Sequence, residues 1–168
     1  MNIILFGFKR CGKTHFGKLL AKKLNRPFID TDHLIEEAYG EKCRQIALKI
    51  GDKAFRELEK QAVASLSTEQ GAIISVGGGA ILDPDNAKKL AELGTLIYLQ
   101  IDKETLKKRL LSGDLPSYLD PEDRMSSFEA MYQERKAIYE HIPALRIDMA
   151  GKSEQDILNL IIEGLNSG

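Results

Sequence analysis

Gly7-Phe8-Lys9-Arg10-Cys11-Gly12-Lys13-Thr14 sets two glycines, a lysine and a hydroxyl residue at the spacing G-x-x-x-x-G-K-[S/T]. Each type has its own task in holding a nucleotide triphosphate. Glycines let backbone N–H groups close around phosphate oxygens, and the N-terminus of the following helix adds positive potential. Lys13 neutralises terminal phosphate charge, and Thr14 offers its hydroxyl to Mg²⁺. The bland alternative is a glycine-rich turn with a stray lysine. It leaves unexplained the apolar run Ile3-Ile4-Leu5-Phe6 before the loop and the amphipathic stretch behind it, which are the strand and helix such a loop joins.

Four further groups invite chemistry. Asp30-Thr31-Asp32 follows the short apolar pair Phe28-Ile29, so both carboxylates face the crevice that the loop borders. Helix capping by Thr31 or Asp32 is the competing role. Beside a phosphate loop, two acids can divide the tasks of holding a metal and orienting an attacking hydroxyl. Arg56 and Glu59 are i, i+3 neighbours on a helix whose apolar stripe is Phe55, Leu58, Ala62 and Leu66. They form either a solvated ion pair or a guanidinium held ready for a carboxylate. Gly77-Gly78-Gly79 directly after an apolar run costs more conformational entropy than a turn needs, which points to close approach by a ligand. Arg135, in Glu134-Arg135-Lys136-Ala137-Ile138-Tyr139, reads alone as surface charge.

The elements that must position these residues are legible from periodicity and breakers. Strands are expected at 3–6, at 28–30, at 72–76, at 95–100 and at 145–148. Helices are expected from the loop to about Asn25, over about 33–67 with breaks near Gly40 and Gly51, from Asp83-Pro84 to Gly94, and over 103–111, 122–141 and 153–165. The turn formers of 112–121 show no core face and read as a lid, with the lid region at about 112–123. Alternating strands and helices imply a parallel sheet in a three-layer α/β domain. With 168 residues, 43 % of them hydrophobic, one domain over 1–168 suffices. Lysine plus arginine (24) nearly balances aspartate plus glutamate (25), so the charge suggests neither a nucleic acid nor a membrane as partner. Cys11 and Cys43 make no disulfide framework, and without a signal peptide or a long apolar run a cytoplasmic protein is expected.

Taken in order, Gly7 to Thr14, Asp30-Thr31-Asp32, Phe55-Arg56-x-x-Glu59, Gly77-Gly78-Gly79-Ala80 and Glu134-Arg135-x-x-x-Tyr139 resemble the shikimate kinase family across nearly the whole chain. The resemblance implies a P-loop NTPase fold, α/β/α, with a five-stranded parallel sheet. It also implies a monomer that phosphorylates the 3-hydroxyl of shikimate with ATP, for chorismate and aromatic amino acid biosynthesis. Asp32 and Lys13 would be catalytic. ATP contacts would come from Gly7, Arg10, Cys11, Gly12, Lys13, Thr14, His15 and Arg109. Shikimate would be bound by Asp32, Arg56, Gly77, Gly78, Gly79 and Arg135, and Mg²⁺ by Thr14 directly and by Asp30 through water.

Two positions depart from that family. Arg10 stands where a glycine is usual, and Asp114-Leu115-Pro116-Ser117 lacks the lid arginine that reaches over the ATP phosphates. Loss of that cation costs on the order of 10² to 10⁵ in turnover unless it is replaced. Arg109 and Arg124 are the candidate replacements, the alternative being that both are ordinary surface arginines. Two other functions stay open, a kinase for another small acceptor such as gluconate or a nucleotide, and a catalytically weak nucleotide- and metabolite-binding protein.

Overall fold

The computed structural model describes residues 1–67 and 71–167. Five strands, β1 (Asn2–Phe6), β2 (Phe28–Asp30), β3 (Ile73–Ser75), β4 (Gly94–Gln100) and β5 (Leu145–Asp148), form one parallel sheet in the order β2-β3-β1-β4-β5. Helices cover both faces, so the central strands read as unbroken apolar runs. Ile4, Leu5, Phe6, Ile73, Ile74, Ile97 and Leu99 are fully enclosed. From β1 the chain crosses to one side of the sheet and from β3 to the other, which opens a crevice at the carboxyl ends of these two neighbours.

The helices are α1 (Lys13–Leu24), α2 (Thr31–Tyr39), α3 (Cys43–Ile50), α4 (Asp52–Ala64), α5 (Pro84–Leu93), α6 (Lys103–Leu111), α7 (Arg124–His141) and α8 (Glu154–Ser167). Breaks at Gly40 and Gly51 divide the long helical region as expected, both glycines having positive φ. Asp83 caps α5 through Asp85 N–H, with Pro84 at its first position. Helix α7 starts two residues later than expected because Asp123 is its cap, accepting from Ser126 N–H. A 3-10 turn at Ala80–Leu82, not anticipated, follows the glycine triplet.

Two packing features aim the site. Ile35, Ile46, Leu58 and Ala62 form a small second core that locks α2, α3 and α4 into one unit beside the crevice. Tyr139 of α7 donates its hydroxyl to Gly78 O and packs its ring against Phe6 and Phe8, tying α7 to the ends of β1 and β3. The lid region corrects the sequence reading, because it does have a core face. Leu115 and Leu119 are buried in the main core, and Arg44 Nε of α3 donates to Leu115 O at 2.7 Å. Among the described residues no helix is long and apolar enough to cross a membrane.

Candidate active site

The loop between β1 and α1 is held by its own polar groups. Gly7 and Gly12 have φ of +148° and +114°, and a Cβ at Gly7 would collide with the Leu99 carbonyl, so glycine is required there. Lys13 donates from Nζ to Gly7 O at 3.0 Å and Phe8 O at 2.7 Å, lying along the loop it belongs to. Cys11 N–H turns back to Phe8 O at 3.1 Å, and the Cys11 thiol is buried. Thr14 donates its hydroxyl to Asp30 Oδ2 at 3.1 Å. His15 is exposed, with Nε2 2.6 Å from Glu154 Oε2.

Capping of α2 falls to neither residue expected from sequence. Asp30 is the cap, its Oδ1 accepting from Asp32 N–H at 3.0 Å while Oδ2 takes Thr14. Thr31 is buried, and its Oγ1 accepts from Gly77 N–H at 2.9 Å, joining the acidic segment to the glycine triplet. Asp32 is thereby free to face the crevice. Burial, with the neighbouring Asp30 charge, raises its pKa, opposed by Lys13 and Lys9. A Cβ on Gly77 would overlap Asp32 Oδ1, so that glycine makes room for the carboxylate.

Two cavities meet at this point. One follows the loop, with Gly12, Lys13, Thr14 and Asp30 on its wall. The other lies under the lid between α3, α4 and α7, with Arg56, Glu59, Gly79, Tyr118 and Arg135 on its wall. Lys9, Asp32 and Gly78 border both. Arg56 Nη1 donates to Glu59 Oε1 at 2.6 Å, which decides between the two readings of that pair, since Glu59 is only 4 % exposed. Burial raises the Glu59 pKa, and the Arg56 guanidinium beside it opposes the shift. Arg135 is no surface charge, being 6 % exposed, with its guanidinium carbon 4.0 Å from the centre of the Tyr118 ring of the lid. Cys43 also lines this cavity, where burial pushes its thiol up and keeps it protonated. The arrangement sets the phosphate-loop motif and Lys13 on one side of Asp32 and two guanidiniums, able to receive an anion, on the other.

Known proteins resemble this chain in architecture and in sequence. The model of the shikimate kinase family matches residues 9–166. The chain belongs to the shikimate kinase family. The shikimate kinase of Moorella thermoacetica is 37 % identical, covering 99 % of this chain and 95 % of its own, and that of Bacillus cytotoxicus is 36 % identical over 98 % of each. The structure of the Acinetobacter baumannii shikimate kinase in complex with shikimate superposes with a TM-score of 0.90 at 28 % identity, covering 99 % of this chain and 93 % of that one. As a shikimate kinase the protein is an ATP-dependent phosphotransferase with an alcohol acceptor.

Arg10 and the 112–123 segment are the two places that the sequence sets apart from the family pattern. Arg10 has φ +63°, a left-handed backbone that glycine adopts more easily. Its guanidinium donates to the carbonyls of Arg109 (2.9 Å), Ser112 (3.2 Å) and Asp114 (2.8 Å), so it grips the stem of the lid. Arg109 answers by donating to Arg10 O at 3.1 Å, and Arg124 borders neither cavity. Leu115, in the segment that lacks the expected arginine, is buried. Lys9, on the wall of both cavities, was not anticipated; the only signal was a cation at a variable position of the loop motif.

Removing the Arg10 grip frees the lid stem. Arg10→Ala is expected to speed proteolytic cleavage within 112–123 by about fivefold or more, three exposed hydrogen bonds being lost at roughly 0.5 kcal/mol each. Limited proteolysis followed by mass spectrometry reads this, and unchanged cleavage would show that Arg10 does not hold the lid.

Proposed function

We propose that the protein transfers the γ-phosphoryl group of ATP to the 3-hydroxyl of shikimate, giving ADP and shikimate 3-phosphate for chorismate and aromatic amino acid biosynthesis. The observation that carries this reading is the wall shared by the two cavities. Asp32 stands where a hydroxyl on the lid side meets phosphate on the loop side. Shikimate is a small carboxylate with ring hydroxyls, so it needs cations at one end and a carboxylate at the other. Arg56, held by Glu59, and Arg135, roofed by Tyr118, receive the carboxylate end; the glycine triplet serves by making room for protein groups, Gly79 for the Arg56 guanidinium and Gly77 for Asp32, rather than for the ligand as the sequence suggested. Asp32 orients the 3-hydroxyl and takes its proton as the oxygen attacks.

On the nucleotide side, backbone N–H groups from Gly12 to Thr14 meet the phosphates at the N-terminus of α1. Lys13 leaves Gly7 O and Phe8 O to bind terminal phosphate oxygens. Thr14 and Asp30 form an oxygen-donor pair that suits Mg²⁺, and among the described residues no cluster of three or more acidic, histidine or cysteine residues is present. That fits an ion which takes one or two protein ligands and completes its shell with phosphate and water. Bound there, Mg²⁺ would neutralise charge on the β- and γ-phosphates. The lid covers the acceptor and excludes water, limiting wasteful hydrolysis.

A coupled assay of ADP release across shikimate, gluconate and a nucleoside monophosphate tests the reading. Turnover is expected with shikimate and is abolished by chelating Mg²⁺. Turnover confined to another acceptor would assign a different substrate. Calorimetric binding of ATP and shikimate with no product after long incubation would make the protein a binder.

A further inference from the structure

Phosphoryl transfer places growing negative charge between the two cavities, and the cations near that point can be assigned one by one. Arg10 lines the loop cavity but its guanidinium is engaged by three lid-stem carbonyls, and Arg109, which borders neither cavity, donates to the Arg10 carbonyl. His15 lies on the wall of the loop cavity only, with Nε2 2.6 Å from Glu154 Oε2. Residues 112–123 contain no lysine or arginine. Arg44 donates to Leu115 O, Arg56 is paired to Glu59, and Arg135 is stacked on Tyr118, all three on the lid side only. Lys13 remains on the nucleotide side.

Lys9 stands apart from all of these. It is half-buried, it borders both cavities together with Asp32 and Gly78, and its ammonium makes no hydrogen bond or ion pair to any described residue. Its backbone is packed against the glycine triplet, since a Cβ on Gly78 would come within 3.1 Å of Lys9 N. A half-buried ammonium without a partner is costly, and a residue fixed in such a place is explained by an anion that completes it. Burial lowers the Lys9 pKa, and the nearby Asp32 carboxylate counters that shift, so the two charged groups sense each other across the junction.

We propose that Lys9 is a catalytic residue that binds the transferring phosphoryl group from the acceptor side, opposite Lys13. This rests on the function proposed above. The two lysines then hold the phosphoryl oxygens from two directions during the passage from ADP to the acceptor hydroxyl, while Asp32 takes the hydroxyl proton. In this chain the second cation thus comes from the phosphate loop, where it cannot swing away with the lid.

The test compares the parent protein with Lys9→Met and Lys9→Arg, using whichever acceptor the parent turns over. Lys9→Met is expected to lower kcat by about 10²-fold, the scale for removing one preorganised charge-stabilising group. The KM for both substrates and the affinity for ADP, read by calorimetry, are expected to stay within about threefold, because Lys9 acts on the γ-phosphoryl in transit. Lys9→Arg is expected to recover turnover to within about tenfold of the parent. A Lys9→Met enzyme with kcat within threefold of the parent overturns the proposal. So does a loss carried by KM alone, or one that Lys9→Arg fails to relieve while melting as the parent does. A parent inactive on shikimate but active on another acceptor overturns the function above and leaves the Lys9 comparison decisive on that acceptor.

Discussion

Asp32→Asn is expected to lower kcat by about 10²- to 10⁴-fold, the usual contribution of a positioned general base. Asparagine keeps the shape and can still hydrogen-bond a ring hydroxyl, but it cannot accept the proton that the attacking oxygen must shed. The KM for shikimate should therefore change by less than about tenfold, separating proton handling from binding. The space is already built for a group of this size, since Gly77 lacks the Cβ that would overlap Oδ1. The carboxylate it replaces is poorly solvated and lies near Asp30, so the neutral amide removes a burden from the fold. The variant should melt no lower than the parent, which makes lost turnover a chemical result. Turnover above a tenth of the parent would remove Asp32 from the base role.

The second large effect is expected at Gly79, whose missing side chain leaves room for the Arg56 guanidinium proposed to receive the substrate carboxylate. Its φ of −91° and ψ of −22° suit any residue, so Gly79→Ala puts no strain on the backbone. The added methyl would instead overlap Arg56 Nη1 and press on Glu59 Oε2. The guanidinium sits at the end of a flexible side chain, so it moves and the fold survives. Arg56 is 42 % exposed, so losing its placed guanidinium is expected to cost no more than the low end of the range for an enclosed charge contact, about 2 kcal/mol, a rise of up to roughly thirtyfold in shikimate KM. Arg56→Ala should do the same, and the double variant should be no worse than Arg56→Ala alone, because both changes act through one contact. Additive losses would show that Gly79 has a separate role.

Most of the sheet was legible because parallel strands buried on both faces are short apolar runs bounded by breakers, as at Ile73-Ile74 and Leu96 to Leu99. Asp83-Pro84 and the glycines at 40 and 51 mark boundaries by local chemistry, and local chemistry is what a sequence displays. The lid was misread for the opposite reason. Leu115 and Leu119 are two apolar residues among turn formers, and their burial depends on what lies beneath them, including Arg44 some seventy residues away. Asp30 as the cap of α2 was hidden by three adjacent capping residues, any of which fits the pattern. The pairing of Arg56 with Glu59 followed from helical spacing, whereas the burial of Arg135 under Tyr118 did not. Lys9 and Arg10 occupy positions that the loop motif leaves open, so their tasks emerge only from what the fold sets opposite them.

The common wall of the two cavities also carries an expected stereochemical outcome for the reaction. If phosphate binds on one side of Asp32 and the acceptor on the other, as proposed above, direct transfer is expected to bring the hydroxyl oxygen in across the phosphorus from the departing ADP. One direct displacement then turns the phosphorus centre inside out, as an umbrella inverts. A γ-phosphorus made chiral by oxygen isotopes and sulfur would leave with its handedness reversed, whereas relay through a phosphorylated side chain would invert it twice and restore it.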